Sequence, residues 1–210
     1  MGSRRKKPEQ LELPSRTWGG RRKNAGRPKK PKGEAGVTHQ LRAEFPKRFP
    51  LHVTWKIRRD VGNLRTDKRF RKIQRAFRYG GHRFGLRLAE FSVQSNHVHL
   101  IVEADDKRAL SRGLQGLAIR VARGVNRASR RRGKVLADRF HARLLRTPAE
   151  VKRAIHYVRR NLHHHTRDRS PYVDPFSSMS GEACWHIDED GTAQLVTARP
   201  KCWLLRRDDG

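Results

Sequence analysis

The stretch SNHVHLIVE, residues 95–103, sets His97 and His99 on either side of one valine and runs straight on into Leu100, Ile101 and Val102. In an extended chain residues i and i+2 project from the same face, so the run reads as a strand presenting two imidazoles side by side. Two neutral imidazoles held in parallel are half of a divalent metal site. A His-x-His on its own is more often an ordinary polar sheet surface, so its meaning depends on what the rest of the chain brings to it.

Working outward, residues 51–57, LHVTWKI, alternate and are rich in β-formers, which predicts a first strand. After the turn signal Gly62-Asn63, Phe70, Ile73 and Phe77 recur at helical spacing across residues 66–79, and Gly80, Gly81 and Gly85 loosen the chain beyond. Residues 86–93 and 97–103 read as two strands joined by the turn Gln94-Ser95-Asn96. Leu110, Leu114, Leu117, Ala118, Val121 and Val125 trace a second helical stripe, with Arg112, Arg120, Arg123 and Arg127 on its other faces. The tract Arg130-Arg131-Arg132-Gly133-Lys134 closes that helix. VLADRFHARLL, residues 135–145, predicts a loop leading into a fourth strand. Thr147 as N-cap, Pro148 at the first helical position and Glu150 three residues after the cap start a third helix, with Val151, Ile155, Val158 and Leu162 as its apolar line. The order β-α-β-β-α-β-α is that of an α+β fold: a ferredoxin-like or RRM-type β-α-β-β-α-β core, an antiparallel sheet with helices on one face, and an added C-terminal helix.

At 210 residues the chain has room for one domain with a proper core and extensions. Residues 1–48, rich in Arg, Lys, Gly and Pro, read as a basic tail that stays disordered until it meets a partner. Within them Gly26-Arg27-Pro28 and the following KKPKG resemble an AT-hook, whose arginine enters the minor groove of A/T-rich DNA; a solvated tail that contacts phosphates without preference explains them too. Residues 49–167 form the folded domain. Residues 168–210 are an extension in which CWHI, QLVTA and CWLLR suggest short peripheral strands.

Lys and Arg number 50 against 20 Asp and Glu, a formal charge of +30. Such an excess repels itself unless a polyanion neutralises it, and phosphate backbones are the obvious partner. No apolar run approaches the roughly 18 residues of a membrane span, and no secretory signal is visible, so a cytoplasmic, nucleoid-associated protein is expected. Cys184 and Cys202 form neither a CxxC pair nor a disulfide framework.

On the third helix Tyr157 and Asn161 are four residues apart and fall on one side, where a helix packed beside the sheet would present them to His97 and His99. This set suits phosphodiester chemistry. The imidazoles and the Asn161 carbonyl would hold a divalent ion against a phosphate oxygen, and Tyr157 would attack phosphorus. A phosphotyrosine conserves the energy of the cut bond, so the step is strand transfer rather than hydrolysis. Other histidines are decoys: adjacent side chains on a helix diverge by about 100°, so His163, His164 and His165 do not converge, and Cys184 with His186 lacks partners at zinc-finger spacing.

SNHVHLIVE resembles the histidine-hydrophobic-histidine motif of the HUH endonucleases. YVRRN, residues 157–161, resembles the helix bearing the single catalytic tyrosine in the insertion-sequence 200/605-like transposases and their REP-associated tyrosine transposase relatives. The resemblance runs from LHVTW through DRFHARLL to about residue 165. It implies a transposase that cleaves and rejoins single-stranded DNA through a 5′-phosphotyrosine, with Mg2+ or Mn2+ on His97, His99 and Asn161 and Tyr157 as nucleophile. It also implies a homodimer acting on hairpins formed by palindromic ends. Many REP-associated members follow the asparagine with proline, whereas Leu162 and His163 follow it here. Arg27, Arg120, Arg123, Arg127, Arg130, Arg131 and Arg139 are the candidate nucleic-acid contacts. The alternative is a non-catalytic nucleic-acid binding or regulatory protein on the same fold, which an RRM-like sheet would serve by stacking bases on aromatics.

Overall fold

The strand that carries the two histidines is internal to the sheet in the computed structural model, which describes Pro46 and residues 49–161, 173–187 and 190–206. Strands β1 (Leu51–Lys56), β2 (Leu86–Val93), β3 (His97–Ala104) and β4 (His141–Leu144) pair antiparallel in the order β2-β3-β1-β4. Helices α1 (Asp67–Gly80), α2 (Lys107–Ala128) and α3 (Pro148–Arg159) follow β1, β3 and β4. This is the ferredoxin-like α+β core with an added helix that the sequence pattern implied. The AT-hook-like segment with Arg27, and the run from Leu162 through His165, lie outside the described residues.

The alternation read from the sequence decides the two faces. Leu51, Val53 and Trp55 of β1, with Val98, Leu100 and Val102 of β3, bury against Phe70, Ile73 and Phe77 of α1 and Leu110, Leu114, Leu117, Val121 and Val125 of α2. Asp106 caps α2, its carboxylate accepting from the Ala109 amide at 2.6 Å. Gly113 lets that helix close on β2, since a Cβ there would fall 2.5 Å from the Leu86 Cβ.

The third helix departs from the expectation of helices on one face. Val151, Ile155 and Val158 of α3 pack on Ala89, Ile101 and Leu145, with Cys202, Leu204 and Leu205, as a second cluster on the opposite side of the sheet. The reason lies in β3, which is buried at every position but His97: its second face, with His99, Ile101 and Glu103, is buried as well and needs cover of its own. Each buried aliphatic side chain of α3 is worth roughly 1.5–3 kcal/mol. The start of α3 is a complete capping box, with the Thr147 hydroxyl accepting from the Glu150 amide and the Glu150 carboxylate accepting from the Thr147 amide.

The C-terminal extension folds onto β2, an edge strand whose free side would otherwise invite pairing. The Val93 amide donates to the Phe176 carbonyl, the Ser178 amide to Phe91 and the Ala198 amide to Leu88, at 2.9, 2.9 and 2.7 Å. Trp185–Ile187 and Ala193–Leu195 do form a small antiparallel pair. Trp203–Arg206 is a helical turn and not the strand expected of CWLLR. Leu204 and Leu205 are buried next to one another while Trp203 is exposed, a pattern that alternating strand geometry does not allow. Asp174, fully buried, anchors the strap through a two-pronged ion pair with Arg65 at 2.8 and 2.9 Å, and Arg65 also lies over the Phe176 ring at 4.4 Å.

Candidate active site between the sheet and the third helix

On the α3 side of the sheet, register aligns Ser92, His99, Thr54 and His141 as one row across four strands, with His97 opposite Lys56 in the row beside it. The rings of His97 and His99 lie 4.7 Å apart, centroid to centroid, and nearly perpendicular at 83°. Helix α3 brings the Tyr157 ring to 5.2 Å from His99 and 6.0 Å from His52. Three of the four residues singled out from the sequence therefore sit on one face, with the phenol edge-on to the second histidine.

Hydrogen bonds fix how the imidazoles are offered. His97 Nδ1 lies 2.7 Å from Asn96 Oδ1; an amide oxygen only accepts, so Nδ1 carries the proton and Nε2 is left with its lone pair. His99 Nδ1 lies 3.1 Å from His52 Nε2 and 3.2 Å from Thr54 Oγ1. Burial, with His141 and Arg143 close by, lowers the His52 imidazole to about 4, so His52 is uncharged at neutral pH.

The last member arrives differently from the helical spacing. Helix α3 ends at Arg159, and Arg160 caps it with its amide donating to the His156 carbonyl at 3.0 Å, so Asn161 lies beyond the break instead of stacking under Tyr157 on a continuous helix. The strap lies close by: the Ser177 hydroxyl donates to the Asp174 carbonyl at 3.0 Å and stands 3.5 Å from the Arg159 carbonyl. Arg159 in turn holds Glu90 of β2 at 2.6 Å, and Glu90 also accepts from the Ser178 hydroxyl. Asn161 is fully buried, and neither its Oδ1 nor its Nδ2 has a hydrogen-bond partner among the described residues. A buried amide left this way is costly and calls for a ligand or a function.

Beside these residues a cleft of about 490 Å3 runs between β4 and α3, lined by His52, His99, His141, Arg143, Arg153 and Tyr157 among others. His52, Thr54, Arg143 and Arg153 were not singled out from the sequence. A signal for the first two was present: β1 alternates Leu51, Val53, Trp55 with His52, Thr54, Lys56, and the polar set had to share a face with something.

The candidate DNA-contacting arginines divide. Arg120, Arg123 and Arg127 line a second groove of about 490 Å3 between α1 and α2, together with Lys72, Arg75 and Arg83, and no acidic side chain lines it among the described residues. Tyr79 and the exposed Phe84 stand in the same groove, each with an arginine over its ring. Arg131 is instead held within the fold by Asp60, Asn126 and the Lys134 carbonyl. Arg130 and Arg139 are exposed on the loops that follow α2 and precede β4.

Among the described residues no group of three or more His, Cys, Asp and Glu side chains is placed to hold a metal. The histidine pair with its Nδ1 atoms engaged, and the unsatisfied buried Asn161 amide, fit an ion that takes few protein ligands and keeps the rest of its shell for water and phosphate oxygen.

The fold and this face define the chain as a ferredoxin-like α+β protein with a histidine pair beneath a tyrosine-bearing helix. Residues 48–161, more than half of the chain, match the model of the family described as "Transposase IS200 like", and the chain belongs to that family. A solved structure of a REP-associated tyrosine transposase bound to a REP hairpin shares the fold, with a TM-score of 0.53 at 14% identity, covering 68% of this chain and 82% of that one. Comparison with curated proteins finds no match. No helix among the described residues is long and apolar enough to cross a membrane.

Proposed function

We propose that this transposase cleaves and rejoins single-stranded DNA through Tyr157, with His97, His99 and Asn161 holding Mg2+ or Mn2+. The observation that carries the reading is the Tyr157 ring 5.2 Å from that of His99, on a helix covering the histidine face. Tyr157 Oη attacks the scissile phosphorus, and the bond from phosphorus to the 3′ oxygen breaks as the bond to the phenol forms. The phenolic proton passes to solvent, and the departing 3′ oxygen takes one from water. The 5′-phosphate stays on the tyrosine until a 3′ hydroxyl reverses the step. The ion, when bound, would neutralise phosphate charge and ease departure of the leaving oxygen.

The chain's own residues prepare the reaction. Asn96 and the His52–Thr54 pair engage the Nδ1 atoms of the two histidines, and the Arg159–Glu90 ion pair holds the helix end two residues beyond the tyrosine. Arg153 and Arg143, the latter paired with Glu150 at 3.0 Å, line the cleft where a strand would enter. Arg120, Arg123 and Arg127 would contact phosphates in the α1–α2 groove, with Phe84 and Tyr79 as stacking surfaces. Hairpin ends as substrate, and a homodimer acting on them in the bacterial nucleoid, belong to the same proposal. The relative solved on a REP hairpin supports the first of these.

A hairpin-bearing oligonucleotide incubated with Mn2+ should yield a covalent protein–DNA adduct that chelator prevents and Tyr157→Phe abolishes. An adduct persisting in Tyr157→Phe would refute the nucleophile. Binding indifferent to chelator, with no adduct under any metal, would make this a binding module.

A further inference from the structure

We propose that His52 is a positioning residue for His99: by accepting the proton on His99 Nδ1 it sets the tautomer that leaves Nε2 for the ion. The inference rests on the reading of His99 as a metal ligand. It starts from the 3.1 Å contact between His52 Nε2 and His99 Nδ1, made by rings 5.1 Å apart and tilted 33°. His52 faces this side of the sheet because it lies two residues before Thr54, which pairs with His99 in the register.

The contact permits two states. Either His99 donates from Nδ1 to a lone pair on His52, leaving Nε2 able to ligate, or His52 donates and the proton of His99 sits on Nε2, where it blocks an ion. Thr54 Oγ1, at 3.2 Å from the same nitrogen, does not decide between them, because a hydroxyl donates as readily as it accepts. His97 offers the precedent within this chain: its Nδ1 is committed to an acceptor-only amide oxygen. His52 does for the second ligand what Asn96 does for the first. Its ring also meets that of Tyr157 edge-on at 6.0 Å, so the side chain that orients the ligand borders the nucleophile as well. Nothing in the His-x-His motif indicates this residue; the pairing of β1 with β3 does.

The test begins without metal. Long-range 1H–15N spectra of the full chain, with His99 assigned through His99→Gln, report which ring nitrogen holds the proton, and Mn2+ titration of the same samples reports affinity. Wild type should show His99 protonated on Nδ1. His52→Leu should lose that tautomer and bind Mn2+ about 10–100-fold more weakly, the usual cost of removing an outer-shell partner. His52→Asn, too short to reach, should behave like His52→Leu and serves if the latter does not fold. The inference is overturned if His99 carries its proton on Nε2 in the wild type. It is overturned equally if His52→Leu or His52→Asn leaves tautomer and affinity unchanged, or if Thr54→Val alone reproduces the loss. A wild type that shows the His52-dependent tautomer but binds no Mn2+ would sink the metal reading above while leaving the His52–His99 contact intact.

Discussion

Replacing Asp174 with alanine removes a fully buried carboxylate that holds Arg65 through two bonds, at 2.8 and 2.9 Å, and accepts the Phe176 amide at 3.0 Å. Arg65 keeps only 14% of its side chain exposed, so its guanidinium would be stranded beneath the strap. Breaking a buried pair from one side costs about 3–5 kcal/mol, and the orphaned Phe176 amide adds about 1 kcal/mol. Against a total of about 5–15 kcal/mol for a domain this is a large share, and urea unfolding of the full chain should register it as a fall in midpoint. The consequence reaches the site, because the same strap carries Ser178, which bonds the carboxylate that holds Arg159 at the end of α3. DNA cleavage by Asp174→Ala should therefore fall even under conditions where the variant stays folded. The double variant Arg65→Met with Asp174→Leu should recover much of the stability, since an apolar pair leaves no charge behind. A loss below about 1 kcal/mol for Asp174→Ala, with no recovery in the double variant, would refute the idea that this pair clamps the extension to the sheet.

Three smaller predictions follow from other parts of the fold. Thr147→Ala breaks the capping box of α3 and should cost about 1 kcal/mol, read as a lower melting temperature. Replacing Arg120, Arg123 and Arg127 with alanine should flatten the salt dependence of single-strand binding by about 2 in the log–log slope, at roughly 0.7 per phosphate contact; an unchanged slope would remove the α1–α2 groove from the DNA path. The third concerns pH. His52, facing His99, Thr54, His141, Arg143 and Tyr157, titrates at about 4 in the fold against 6.5 in the unfolded chain. As pH falls across that window the unfolded chain takes up a proton the folded one refuses, so up to about 3 kcal/mol of stability is lost on acidification. His52→Gln should lose correspondingly less stability between pH 7 and pH 4.5.

Local pattern made most of the core legible. The three helical stripes, the alternation of β1 and the capping signal at Thr147 each involve neighbours in sequence, and each element formed where the pattern put it, the third helix as far as Arg159. The side of the sheet that α3 covers was not legible, because the second face of β3 sets His97, His99 and Glu103 beside the one aliphatic Ile101, and its burial shows only once the strand is known to be internal. The break after Arg159 was not legible, because Arg159 is held by Glu90, and Glu90 by Ser178, far away along the chain. His52 was hidden for the same reason: its role exists only through the register of β1 against β3. CWLLR misled because a short apolar run has no period of its own, and burial beside α3 decided it.

The most direct test is to locate the covalent DNA. The chain holds three tyrosines, Tyr79, Tyr157 and Tyr172, and trypsin releases the second within the peptide AIHYVR, residues 154–159. After reaction with a hairpin-bearing oligonucleotide and Mn2+, mass spectrometry of that peptide should find a 5′-phosphonucleotide on Tyr157, and none when chelator is present. The same mass on Tyr79 or Tyr172, or an adduct indifferent to chelator, would contradict a site built from His97, His99, Asn161 and Tyr157.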